Sequence, residues 1–293
     1  MITTNLKQRI LKEAERRREL FEGSDAKFAV SLGINNAQYS RIKNGELERV
    51  LSDANWISIA RKLEVNISDT PEWKTAETPV FKFITKQLEI CQNGRLCSML
   101  CDLSDIGKTY TARYYAKTHK NAVYIDCSQV KYKQNLIRQI AKSFGVGNTG
   151  RYTDVYEDLV FYLKTLPTPL VILDEAGDLS YEAFLEIKAL QNATDKICAF
   201  YMMGADGLKE KIRRSIDNKK VGYAEIFSRF GKKYGIVIPE SGEEKLKMLK
   251  VTAIMIIRAN APDVDANRLL KGTIGEDNTP SLRRIYTEIV KYN

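Results

Sequence analysis

Gly107-Lys108-Thr109 and Asp174-Glu175 are the side chains in this sequence whose types and spacing can do chemistry. The first group ends the segment Ser104-Asp105-Ile106-Gly107-Lys108-Thr109, which reads as a phosphate loop. Such a loop aims successive backbone N–H groups at a phosphate, at the start of a helix. Gly107 permits the close backbone approach, Lys108 neutralises phosphate charge, and the Thr109 hydroxyl ligates Mg2+. The second group closes the apolar run Leu170-Val171-Ile172-Leu173. At the mouth of a buried strand, Asp174 can hold Mg2+ and Glu175 can orient and polarise an attacking water. Two residues depart from the usual G-x-x-x-x-G-K-[ST] pattern: Asp102 replaces the first glycine, and Asp105 adds a carboxylate inside the loop. A carboxylate near a triphosphate is repulsive unless it turns away or pairs with a cation. A chance Gly-Lys-Thr and a helix-capping acidic pair are the competing readings. The order of strand, loop and acidic strand argues against both.

The elements that must position these groups follow from periodicity. Residues 1–66 read as short helices, with Ser24 or Asp25 as a cap and Gly33 and Asn44-Gly45 as stops. Residues 67–78 are polar and aperiodic, a linker. Over 79–240 strands alternate with helices: strands at 96–101, 122–126, 170–175, 198–203 and 235–238, helices at 80–90, 110–117, 134–144, 155–163 and 182–191. That alternation predicts a parallel sheet covered on both faces. Residues 241–293 read as all-helical.

Bulk properties narrow the class. The 293 residues are 44% hydrophobic and 28% charged, with a net charge of +9. That composition suits a globular chain of more than one domain, and the positive charge favours a polyanionic partner. No apolar run approaches the roughly 20 residues of a membrane span, and the first residues lack a signal-peptide apolar core. Five cysteines without C-x-x-C spacing argue against zinc and for reduced core thiols. The single histidine, His119, reads as a surface residue.

The phosphate loop and the acidic strand together resemble those of the AAA+ ATPases, and within them the transposition regulators of the phage Mu B type. The resemblance spans almost the whole chain. It implies a P-loop α/β AAA+ core with a C-terminal helical lid, preceded by a small all-α helix-turn-helix domain. It implies ATP and Mg2+ as cofactors, with Ser104, Asp105, Ile106, Gly107, Lys108, Thr109 and Tyr110 around the nucleotide. Thr109 and Asp174 would hold the metal, and Lys108 and Glu175 would serve catalysis. Arg229, in Phe227-Ser228-Arg229-Phe230, stands where the family places an arginine finger for a neighbouring subunit. Arg283, in Pro280-Ser281-Leu282-Arg283-Arg284, stands where it places the second sensor. The first sensor is poorly matched, with Asp206 as its candidate.

The segment from Phe28 to Gly45 resembles the helix-turn-helix of phage repressors. Its second helix would present Asn36, Gln38, Tyr39, Arg41 and Lys43 to DNA. Lys131, Tyr132 and Lys133, and the run Lys209, Lys211, Arg213 and Arg214, are candidate backbone contacts of the ATPase; a solvated charged face is the alternative. The resemblance implies double-stranded DNA, further copies of the chain (a filament or ring) and a transposase of the DDE type as partners, with no membrane. It also implies a cytoplasmic location in a bacterial cell and a phage or mobile-element origin. Two other functions stay open: a non-enzymatic DNA-binding regulator with a degenerate loop, and an ATPase of the helicase-loader kind.

Overall fold

Side-chain caps punctuate the N-terminal helices in the computed structural model, which describes residues 2–67 and 73–292. The middle of the expected linker, residues 68–72, lies outside the described residues. Helix α1 (Thr4–Leu20) starts on Thr3, whose hydroxyl accepts from Leu6 N. Ser24 caps α2 (Asp25–Leu32) in the same way, and α2 ends on Gly33 at φ 79°. Glycine enters this left-handed region at no steric cost, and the turn lets Ile34 N bond back to Ala29 O. Asn35 and Gln38 form a reciprocal capping box on α3 (Asn36–Lys43). Ser52 caps α4 (Asp53–Leu63). These helices bury one core, built around Ile10, Ala29, Tyr39, Ile42, Trp56 and Ile59.

Tyr39 corrects the expectation of a DNA contact. It is 1% exposed and meets the Phe28 ring edge-on at 5.4 Å. The period of α3 puts Tyr39 and Ile42 on its inner face, leaving Asn36, Arg41 and Lys43 outside.

Next come α5 (Pro79–Gly94), β1 (Cys97–Cys101), α6 (Lys108–Thr118), β2 (Ala122–Asp126), α7 (Lys133–Ser143), α8 (Tyr152–Thr165), β3 (Leu170–Asp174), α9 (Tyr181–Ala193), β4 (Ala199–Gly204), α10 (Asp206–Asp217) and α11 (Tyr223–Arg229). The strands form one parallel sheet in the order β1-β4-β3-β2. Alternate residues serve opposite faces. Met99, Ile125, Leu173 and Phe200 face the core shared with α7, α8 and α9. Leu100, Ile172, Tyr201 and Met203 face that of α5 and α6. Strands β3 and β4 are buried throughout, so they read as unbroken apolar runs. The register pairs Asp126 with Asp174 and Cys101 with Gly204. The phosphate loop and the acidic pair therefore leave the sheet from the same carboxyl edge, where open α/β sheets bind ligands.

The expected strand at 235–238 shrinks to a single bridge between Leu100 and Gly235. Gly235 exchanges two backbone bonds with β1, to Met99 O and from Cys101 N. Beyond it, Val237 N and Ile238 N both donate to the Asp102 carboxylate, at 2.5 and 2.9 Å. A side chain has taken the place of the ladder, and Pro239 then removes a donor.

Helices α12 (Gly242–Asn260), α13 (Ala266–Thr273) and α14 (Leu282–Tyr292) close the fold around Ala253, Ile257, Leu269 and Ile285. The N-terminal helices rest on α6 and α8. Arg17 donates to Ala116 O at 3.0 Å, Lys117 pairs with Glu13 at 3.2 Å, and Tyr162 donates to Glu22 O at 2.7 Å. No described helix is long and apolar enough to cross a membrane.

Truncating Tyr39 to alanine empties an aromatic site in the N-terminal core. It is expected to cost about 3 kcal/mol in urea unfolding, whereas Asn36→Ala on the outer face stays within about 0.5 kcal/mol.

Candidate nucleotide site

Glycine at the loop's end opens a helix without a side-chain cap. Gly107 sits at φ 96°, and no side chain bonds the first turn of α6. Its N–H groups are thus directed at whatever lies in front of the loop. Lys108 is 6% exposed. Its ammonium donates to the main-chain oxygens of Asp102, at 2.9 Å, and Leu103. Burial lowers its pKa, while Asp102, Asp174 and Glu175 oppose that shift. A buried ammonium needs such partners, and loop carbonyls are partners that an incoming anion can replace.

Asp174 is the node of the site. Only 1% exposed, its carboxylate accepts the Thr109 hydroxyl at 2.7 Å and the Tyr124 hydroxyl at 3.0 Å on one oxygen. The other oxygen accepts Glu175 N at 3.0 Å. Thr109 and Asp174 thus offer adjacent hard oxygen donors, a set that suits Mg2+ sharing phosphate ligands. Glu175 stands exposed beyond the strand, in the left-handed region at φ 50°. Burial of its carboxyl, then the nearby Asp174 charge, raises its pKa above the usual carboxylate value. A non-glycine residue held at positive φ is uncommon. Here the turn 176–178 behind it is pinned by Lys211, whose ammonium donates to Gly177 O at 2.7 Å and to Leu179 O. That contact corrects the DNA reading of Lys211: its charge is spent on the turn that carries the acidic pair.

Both unexpected aspartates are engaged by donors from elsewhere in the chain. Asp102, 5% exposed, grips the 237–238 backbone as described and accepts Leu103 N. Asp105 takes the left-handed conformation at φ 59°, which aspartate tolerates better than most residues. Its carboxylate accepts the Ser281 hydroxyl at 2.7 Å and Arg283 N at 3.2 Å. Asp105 therefore caps the lid helix α14. Arg283 itself reaches Asp105 only at 3.9 Å, with its side chain 86% exposed.

A cavity of about 230 Å3 lies beside the loop between Trp73, Phe81, Tyr110, Ile256 and Leu282, with Arg283 at its edge. The Tyr110 hydroxyl meets that of Thr75 at 2.6 Å. Trp73, Phe81, Ile256 and Leu282 escaped the sequence reading, as did Tyr124. A tryptophan inside a polar stretch was the available signal; nothing local marks Tyr124, which acts across the sheet. Ser104 is exposed and Ile106 is buried, 2% exposed, under the loop.

The remaining candidates lie elsewhere. Arg229, at the end of α11, donates to Asn192 Oδ1 at 2.8 Å and to Glu225 O at 3.3 Å; none of its bonds reaches the loop or the acidic pair. Asp206 is exposed at the start of α10. His119 is half-buried and stacks on Tyr115 at 3.7 Å, so it is not a plain surface residue. Gln38 spends its carbonyl on the capping box, while Arg41 pairs with Glu46 and Lys43 with Asp25 on the surface. Tyr132 is 65% exposed. Beside it Lys131 pairs with Asp178 at 3.4 Å, and Lys133 with Glu186 at 3.0 Å. Lys209 lies 5.9 Å over the Tyr234 ring. Arg213 and Arg214 remain largely exposed, with loose pairs to Glu210.

Removing the Asp102 carboxylate leaves three N–H groups, of Leu103, Val237 and Ile238, without that acceptor. Asp102→Ala is expected to cost about 2–3 kcal/mol in urea unfolding, with Asp102→Asn recovering part of it through one amide oxygen.

Residues 91–212 match the AAA domain family. The chain is 24% identical over 218 residues to the Mu-like prophage FluMu DNA transposition protein B of Haemophilus influenzae, covering 73% of this chain and 75% of that protein. Among solved structures it is similar to the Aeropyrum pernix ORC1 protein in complex with DNA, at 16% identity and a TM-score of 0.46, spanning 75% of this chain and 66% of the other. The domain match over residues 91–212, set on a parallel sheet whose carboxyl edge carries the loop and the acidic pair, gives the chain a P-loop α/β fold, and its similarity to the prophage protein supports an AAA+ protein of the Mu transposition protein B type.

Proposed function

We propose that the chain binds and hydrolyses ATP with Mg2+, assembles on double-stranded DNA when ATP is bound, and presents that DNA to a DDE-type transposase. The carrying observation is the Thr109–Asp174 hydrogen bond, which brings the loop's hydroxyl and the acidic strand to one point. In this reading the phosphates lie on the first turn of α6, and Lys108 exchanges the Asp102 and Leu103 oxygens for them. Thr109 and Asp174 hold the metal, which supplies charge neutralisation at the phosphates. Glu175, with its raised pKa, is the base that orients water. A carboxylate tuned toward neutral pH accepts a proton more effectively. The base of the nucleotide occupies the apolar cavity between Trp73, Phe81 and Leu282, with Ser104, Asp105, Ile106 and Tyr110 around it and Arg283 at the rim.

Assembly and DNA binding draw on the prophage relative, whose name records DNA transposition, and on the +9 net charge. Residues 1–66 form the DNA-reading unit, 79–240 the ATPase core and 241–293 the lid. The exposed Asn36, Arg41 and Lys43, with the half-buried Gln38, face DNA from α3. Lys131, Tyr132, Lys133, Lys209, Arg213 and Arg214 hold its phosphates from the core. Arg229 acts on the nucleotide of an adjoining copy.

Electron microscopy with duplex DNA tests the whole reading. Filaments or rings are expected with ATP and Mg2+ and none without; their absence in both conditions overturns it. Lys108→Ala is expected to abolish the assemblies. Glu175→Gln is expected to keep them while lowering turnover by about 100-fold or more; an unchanged turnover removes Glu175 from the role of base. Tyr124→Phe deletes one of the two hydroxyl donors to Asp174. It is expected to weaken Mg2+-dependent ATP binding by roughly tenfold without altering the fold.

A further inference from the structure

A second large space lies away from the phosphate loop. A cavity of about 410 Å3 separates the N-terminal helices from the core, a volume in the range of small-molecule sites. Its walls carry five cations, Arg17 from α1, Arg61 and Lys62 from α4, Arg113 from α6 and Lys142 from α7, against two carboxylates, Glu22 and Glu64. One carboxylate is engaged, since Glu64 faces Arg113 at 3.8 Å. Among the described residues, none of Arg17, Arg61, Lys62 and Lys142 forms an ion pair. Arg17 and Lys62 instead donate to main-chain oxygens, of Ala116 and Leu32. Like charges gathered in a concave space repel one another and focus a positive potential. Lys62 registers this: burial, then Lys142 and Arg61, push its pKa down to about 8. Other surface cations do find carboxylates, Lys43, Lys131 and Lys133 among them. An anion would supply here what the fold withholds.

We propose that this cleft is a second phosphate-anion site, separate from the nucleotide site, in which Arg17, Arg61, Lys62 and Lys142 take a polyphosphate or phosphodiester group and fasten the N-terminal helices to the core. The space is too small for a duplex, so DNA could offer only a backbone segment or an end, whereas a free nucleotide enters whole. The site does not depend on catalysis at the loop. Arg113 borders both sites: its guanidinium lies 5.0 Å from the Tyr124 ring centre, and Tyr124 donates to Asp174.

Inorganic tripolyphosphate, titrated calorimetrically into the full chain without Mg2+, is the probe. In a Lys108→Ala background, which removes the phosphate loop's ammonium, one binding site is expected to remain. Adding Lys62→Gln and Lys142→Gln there is expected to weaken it at least about tenfold, the loss of two charge-assisted contacts. The same pair of changes in the otherwise unaltered chain is expected to leave ATP affinity at the loop within about twofold, which shows that the chain is folded. Displacement of tripolyphosphate by ATP identifies a nucleotide as the source of the phosphate, displacement by a short duplex identifies DNA, and either supports the site. No binding in the Lys108→Ala chain, or unchanged affinity after both cleft substitutions, overturns it. Neither result bears on whether ATP binds at the loop.

Discussion

The carboxylate of Asp174 is the constraint around which the rest is arranged. It is buried at the end of a strand that is buried on both faces, and a charge so placed must be matched by donors. Thr109 comes from the loop after β1, Tyr124 from β2 and Glu175 N from the acidic strand itself. Three segments distant in sequence are thus obliged to meet at one group. The strand order serves that meeting: β3 lies between β2 and β4, and β1 lies beyond β4. The loop reaches across β4 to the acidic strand, and the sheet's register keeps both at one edge.

The two aspartates that spoil the loop pattern belong to the same economy of charge. Each is already held by donors within the chain. Asp102 ties the 237–238 backbone to the end of β1, and Asp105 caps the first turn of α14. The loop is therefore anchored on one side to the sheet edge and on the other to the lid. Concern over repulsion at the phosphates is met by geometry, because both carboxylates already have donors.

Much of this was legible in the residues. Apolar runs located the strand 122–126 to the residue and the acidic strand to within one, the expected 170–175 ending at Asp174, since an unbroken apolar run is what a strand buried on both faces requires. Gly33 and Ser24 marked the ends of α2 because each satisfies backbone groups by a local rule. The short strand at 235–238 failed for a reason no local rule holds: an acceptor from residue 102 captured its N–H groups. Tyr39 and Lys211 were misread because composition alone does not say which face of a helix is inner or where a long cation bends. In α3 the apolar period, read strictly, would have placed Tyr39 with Ile42. Tyr124 and Trp73 act through contacts made only by the folded chain.

The chain's two tryptophans belong to different parts of the fold. Trp56 is fully enclosed among the N-terminal helices, while Trp73 sits beside the phosphate loop, 5.7 Å from the Tyr286 ring of the lid. Their indoles sit in unlike surroundings, one dry and one open at the mouth of a pocket. The protein thus carries a pair of native fluorophores, one sensing the integrity of the leading helices and the other the packing of Trp73 against Tyr286, with no label required.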